Sequence, residues 1–178
     1  IDYGFPGNGT LSDPYLLQDM TLSENSTTLS SIHIENTTRF FVISNNIITA
    51  NNNHSIYLNN IASGTGVILD NTFDFSDISW PHSNIGLSIV SSNGIRIEKK
   101  DFIYCYRPIE LWWSEDIDIY NNDIHSGLFG VGSRNINIEH NLLGSVRFTS
   151  GSSYISIKNN YIDDHTGVYF SETTYSEI

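Results

Sequence analysis

The 178 residues contain one cysteine, Cys105, and one methionine. A lone cysteine excludes an internal disulfide. Its place between Tyr104 and Tyr106, just after an apolar position, predicts a small inward-facing hydrophobe rather than a reactive thiol. One Met and one Cys are also a poor supply of the soft ligands that copper(I) prefers. Positive charge is scarce: eight Lys and Arg stand against twenty Asp and Glu, a formal net charge of −12. That balance repels phosphate backbones and anionic membranes and argues against a nucleic-acid partner. No apolar run approaches the roughly 18 residues a membrane span needs, and no useful helical periodicity is present. The opening IDYGFPGNGT has neither a basic start nor an apolar stretch, so any secretion signal is expected to have been removed or never included.

What the chain does have is a repeated eight-letter word. It runs Phe41 to Ile48, Gly66 to Phe73, Ile95 to Phe102, Ile117 to Ile124, Ile136 to Leu143 and Ile155 to Ile162, at intervals of 25, 29, 22, 19 and 19 residues. Intervals in this range mark a solenoid. Letters one and three fall on one side of a strand and letters two and four on the other. Ile117 and Ile119 therefore face in while Asp118 and Tyr120 face water. Letter three is always isoleucine, and stacking the copies in parallel about 4.8 Å apart lines these side chains into a buried column. Letter six is Asn46, Asn71, Asn122, Asn141 and Asn160, with Lys100 as the one departure. Asparagine tolerates left-handed angles, and stacked copies bond one another in a ladder.

Each word is preceded by an apolar pair that forms another wall: Ile32/Ile34, Ile56/Leu58, Leu87/Ile89, Ile109/Leu111, Phe129/Val131 and Val146/Phe148, with Val168/Phe170 opening a last one. The expected fold is all-β: a single-domain right-handed parallel β-helix of about seven coils over residues 1–178. Residues 1–22 serve as an entry and capping segment, and 23–178 as repeats.

The triplets at Asn8, Asn25, Asn36 and Asn53 fit N-x-[ST] and suggest an extracellular glycoprotein. The segment Gly7-Asn8-Gly9-Thr10-Leu11-Ser12-Asp13-Pro14-Tyr15, followed by Leu17 and Leu22, resembles the entry motif of the parallel β-helix superfamily of carbohydrate-binding proteins and sugar hydrolases. The I-x-I-x-N-N-x-I words resemble its repeats, also found in copper-processing accessory proteins of nitrous oxide reductase and in archaeal surface proteins. The resemblance covers essentially the whole chain and implies a pectate-lyase-like architecture. It leaves activity open, because fold does not fix function.

Sugar-cleaving relatives cluster carboxylates, or basic residues near calcium, on an outward strand. Here the carboxylates are Asp163-Asp164 beside His165, Glu115-Asp116-Asp118, and Asp70, Asp74 and Asp77. The polygalacturonase-like set is absent as a set: Asp163-Asp164 matches one element, and Gly-His-Gly has no counterpart. No catalytic residue is assigned. His33, His54, His82, His125, His140 and His165 lack the paired spacing of zinc ligands, so no metal site and no cofactor are expected. Calcium is the one ion that the Asp and Asn oxygens suit, with a solvated acidic surface as the competing account.

Aromatics carry the binding signal. Trp80, Trp112, Trp113, Tyr57 and Tyr169 are candidate carbohydrate-stacking residues, with coil capping as the alternative for the tryptophans. The apolar letters of the two end coils, Tyr15, Leu17 and Leu22 at one end and Val168 and Phe170 at the other, are candidate assembly surfaces. The expectation is a secreted or cell-surface, non-catalytic structural or adhesive β-helix that self-associates end to end or binds a cell-envelope partner. The alternative is a carbohydrate-binding or carbohydrate-processing module, a polysaccharide lyase or glycoside hydrolase if an enzyme.

Overall fold

Short Ile-rich alternating segments, each ended by a residue that accepts left-handed backbone angles, fold into short strands and tight corners rather than long hairpins. A computed structural model describes residues 4–24, 30–50, 54–76, 84–163, 167–174 and 176–178. Trp80, Asn25, Asn53, Asp77, His82, Asp164 and His165 lie outside the described residues.

Three walls of parallel strands stack in chain order, and the described residues contain no helix. The first wall is β1 (Tyr15–Gln18), β4 (Phe41–Ser44), β7 (Gly66–Leu69), β10 (Ile95–Glu98), β13 (Glu115–Tyr120), β15 (Arg134–Glu139) and β17 (Ser153–Lys158). The second is β2 (Thr21–Glu24), β5 (Ile47–Ala50), β8 (Thr72–Asp74), β11 (Asp101–Ile103), the opening residues of β14 (Asp123–Val131) and β16 (Leu142–Thr149), and β18 (Tyr161–Ile162). The third is β3 (Ile32–Thr37), β6 (His54–Ile61), β9 (Ile85–Val90), β12 (Arg107–Trp112), the later residues of β14 and β16, and β19 (Val168–Phe170). Seven first-wall strands bound six steps, so the chain is a parallel β-solenoid of about six turns, slightly fewer than the sequence predicted.

The word holds its register throughout. Ile43 pairs with Ile68, Ile68 with Ile97, Ile97 with Ile119, Ile119 with Ile138 and Ile138 with Ile157, and all six are buried. A first copy, Tyr15 to Leu22, stacks on the others, with Leu17 opposite Ile43 and Leu22 opposite Ile48. Letter five turns the corner: Asp19, Asn45, Asp70, Lys99, Asn121, His140 and Asn159 all have φ between 51° and 58°.

Letter six forms the expected ladder. Met20 N–H donates to Asn46 Oδ1 at 3.0 Å, Asn46 N–H to Asn71 Oδ1 at 3.0 Å, Asn122 N–H to Asn141 Oδ1 at 2.8 Å and Asn141 N–H to Asn160 Oδ1 at 2.8 Å. A second ladder, at the corner from the third wall to the first, was not anticipated. Buried Ser92, Ser114, Ser133 and Ser152 each accept, through Oγ, an N–H from the preceding turn at 3.1–3.3 Å. Both ladders satisfy corner amides that the strands cannot reach. Cys105 is buried as expected, and that burial pushes its thiol well above the ordinary range.

One part of the sequence reading is corrected. Phe129 and Val131 do not point inward: Leu128 and Gly130 occupy the inward column, opposite Ile109 and Leu111 on one side and Val146 and Phe148 on the other. The cause is volume. A Cβ on Gly130 would stand 2.2 Å from Phe148 Cε1, so the Phe148 ring fills the space that a side chain at 130 would take.

Candidate functional site

The outer face of the third wall is the most chemically varied surface among the described residues. Strand register aligns His33, Tyr57, Ser88, Glu110, Phe129, Arg147 and Tyr169 in one column, one residue per turn. The next outward column contains Val90, Trp112 and Val131. Turning Phe129 outward therefore places it among the aromatic candidates.

Glu110 organises the middle of this face. Although it points outward, it is only 3% exposed. Arg107 donates to its Oε1 at 2.7 Å and Trp112 Nε1–H to its Oε2 at 3.2 Å, so both carboxylate oxygens are engaged. The Trp112 ring is held edge-on to Phe129, with centroids 5.6 Å apart, and tilted against Trp113 at 5.7 Å. A buried carboxylate gripped in this way fixes the indole rather than waiting as a free acid.

Trp113 has a left-handed backbone that is uncommon for a large side chain, shared among the described aromatic residues with Tyr104 and Tyr154. It stands at the corner position that other turns fill with Asn36, Asn60, Ser91, Gly132, Ser150 and Glu172, all with positive φ, and its own φ is 49°. A bulky residue there costs about 1–2 kcal/mol. Its ring lies over Gly132 of the next turn, where a Cβ would meet Trp113 Cδ1 at 2.5 Å. The residue is nonetheless 60% exposed. One face of the indole rests on glycine backbone and much of the ring stays open to solvent.

The two candidate tyrosines stand in the outward column of the third wall. Tyr57 is half-buried, edge-on to His33 with centroids 4.9 Å apart and tilted against His54 at 5.2 Å. Burial lowers the His54 imidazole below its ordinary value, against the opposing pull of Glu110. Tyr169 is 51% exposed.

The other candidates are scattered. Glu115 is bound by Arg134 at 2.7 Å, while Asp70 sits at the first-to-second-wall corner and Asp74 accepts an N–H from Ser76 at 2.9 Å. No group of three His, Cys, Asp or Glu among the described residues is placed to hold a metal ion, and no helix there is long and apolar enough to cross a membrane. Asn8 and Asn36 are exposed. Leu17 is buried, Tyr15 and Leu22 are half-buried, and all three line a cavity of about 700 Å³ at the first turn with Phe5, Met20, Ile32 and Ile34. At the far end Val168 and Phe170 are half-buried against the core. There Thr174 and Glu177 pair with Ser153 and Ser156 of β17, so the chain itself occupies part of that strand's edge.

Glu110 and Arg147 escaped sequence reasoning. Their signal was present in the alternation beside each apolar pair, but only the stacked register places them beside the aromatic residues. No family model matches the chain, and neither a curated protein nor a solved structure matches it.

Proposed function

We propose that the chain is a rigid, non-catalytic adhesive element of the cell exterior that holds polysaccharide against the outer face of its third wall. The observation that carries this reading is Trp113: a tryptophan kept at a left-handed corner, backed by Gly132 and open to solvent. Strain of this kind points to a use for the ring, and a flat supported indole suits sugar stacking. The resemblance to the carbohydrate-binding β-helix superfamily supports the same conclusion, with a right-handed coil as its corollary. The exposed sequons at Asn8 and Asn36 are compatible with an extracellular setting.

Trp113→Asn tests it without breaking the corner, because asparagine is what two other turns use there. Glycan-array retention should fall at least about tenfold, as for a central aromatic contact, while the melting temperature stays near that of the parent. Unchanged retention would overturn the reading. So would a loss of the roughly 3–5 kcal/mol typical of a core aromatic.

A second copy of the chain is the second reading, favoured by the apolar cavity at the first turn. End-to-end contact would cover the first-turn face of one copy (Tyr15, Leu17, Leu22) with the last-turn face of the next (Val168, Phe170), the ladder continuing along the third wall from β19 to β3, since Thr174 and Glu177 already occupy part of the β17 edge. Sedimentation should then show concentration-dependent rods that Val168→Lys abolishes. A monomer at all concentrations excludes this reading.

A further inference from the structure

Resting on the end-to-end reading, in which a second copy covers the first turn, the corner at Asn36 bears on how that joint is controlled. Asn36, Asn60 and Glu172 hold the same corner position in their turns, with φ of 53°, 53° and 54°. Register fixes the correspondence. Ile34 and Phe170 belong to one inward column that runs through Leu58, Ile89, Leu111, Gly130 and Phe148, and Asn36 and Glu172 each stand two residues further on. Across a joint from β19 of one copy to β3 of the next, Glu172 therefore faces Asn36.

Exposed corners of this chain use one bond repeatedly. An asparagine carboxamide donates to a carboxylate one turn earlier, as Asn45 does to Asp19, Asn135 to Asp116 and, at 3.1 Å, Asn159 to Glu139. Asn60 donates in the same direction, through Nδ2 to Asn36 Oδ1 at 2.8 Å. With Oδ1 bonded to the turn after, Asn36 Nδ2 is the donor for a turn before, and Glu172 of another copy supplies the carboxylate. Both residues are exposed. A hydrogen bond to an ionised acceptor is the stronger kind. Asn36 also opens an N-x-[ST] triplet with Thr37 and Thr38, and the atom of such an asparagine that takes a glycan is this same Nδ2.

We infer that the Asn36 carboxamide is a two-way control on assembly: bare, it donates to Glu172 of a second copy and completes the joint; glycosylated, it caps the rod. In the transfer Nδ2 bonds C1 of a lipid-linked sugar phosphate and loses one proton, while the C1–O bond breaks and the phosphate leaves with its electron pair. The bulky glycan then occupies the first-turn edge on which β19 of the neighbour would lie.

The test uses the full chain with the other three triplets broken by Thr10→Ala, Thr27→Ala and Ser55→Ala, made in one host that glycosylates such triplets and in one that does not. Sedimentation reads rods, and glycopeptide mass spectrometry reads Asn36. The bare chain should form rods, and the glycosylated chain should stay monomeric to at least about tenfold higher concentration, because the glycan clashes with the joint. Thr38→Ala removes the triplet but keeps the carboxamide, so it should restore rods in the glycosylating host. In the bare chain Asn36→Asp keeps an acceptor for Asn60 and an angle that Asp19, Asp70 and Asp116 adopt elsewhere. It sets two carboxylates face to face, and should raise the concentration at which rods appear at least about tenfold. Adding Glu172→Gln should bring the rods back. Rods from chain glycosylated at Asn36, an Asn36 left unmodified by the glycosylating host, indifference to Asn36→Asp, or a failure of Thr38→Ala or Glu172→Gln to restore rods each overturn the inference and leave the end-to-end reading standing. No rods from the bare chain removes the end-to-end reading itself, and this inference with it.

Discussion

Ile119→Asp should abolish the cooperative fold, whereas Asp118→Asn, one residue away, should leave it unchanged. Ile119 is fully buried in the letter-three column, between Ile97 of the turn before and Ile138 of the turn after. A carboxylate there loses the apolar contacts of the isoleucine and gains no partner. The combined cost is at least about 5 kcal/mol, comparable to the whole stability of many domains. In a solenoid each turn contacts only its neighbours, so the damage severs the stack in its middle. Asp118 is exposed, opposite Arg96 and Asn137, and its replacement should move stability by no more than about 0.5 kcal/mol. Urea melts followed by circular dichroism separate the two. Equal midpoints would mean that the assignment of inside and outside is inverted.

Lys100→Asn should stabilise the protein, and the gain should depend on pH. Lys100 takes the letter-six place in the asparagine ladder and is only 2% exposed. Its backbone N–H donates to Asn122 Oδ1 at 3.0 Å and its Nζ to the Glu98 carbonyl at 2.7 Å, copying the carboxamide donors of the other turns. It has no oxygen to offer the Asn71 N–H above it, so the ladder breaks between Asn71 and Lys100. Burial pulls its pKa down to about 7, against the smaller opposing influence of Asp70 and Glu98. In the unfolded chain the amine titrates near 10.4. The unfolded state therefore binds more protons between about pH 7 and pH 10, and wild-type stability on this account rises with pH across that window. Below pH 7 the penalty is complete, on the order of 3–5 kcal/mol. Asparagine removes the titration and restores the missing acceptor. The gap between Lys100→Asn and wild type should be widest below pH 7 and should narrow, as pH approaches 10, to the pH-independent contribution of the restored acceptor. A gap that is constant with pH, or a variant less stable than wild type, refutes this account of Lys100.

The first two walls were legible in the sequence because their information is local and repeated. Letters one, three and eight are apolar in the copies and letter six supplies a carboxamide. A one-residue slip would turn every isoleucine of a strand to water, so the register follows from the word. Leu128-Phe129-Gly130-Val131 was not legible in the same way. Its more apolar pair is Phe129/Val131, yet Leu128/Gly130 faces the core, because the Phe148 ring of the next turn takes the volume above Gly130. The serine ladder was hidden for a related reason: Ser92, Ser114, Ser133 and Ser152 stand out only once their burial is known. At the candidate site, the adjacent tryptophans were visible as residue types, but the partners that orient them were not.

The sequence by itself determined the parallel solenoid, its isoleucine columns, its asparagine corner and its acidic surface, since each follows from a periodic side-chain pattern and the alternation of a strand. Tertiary structure decided which side chains share the third wall's outer face. There Trp113 lies on Gly132, Glu110 grips Trp112, and Arg147 stands between Phe129 and Tyr169. The last two of these neighbours are each one turn away from Arg147. Contacts between turns depend on the stacking register and on the volume left by neighbouring side chains, and no single repeat contains that information.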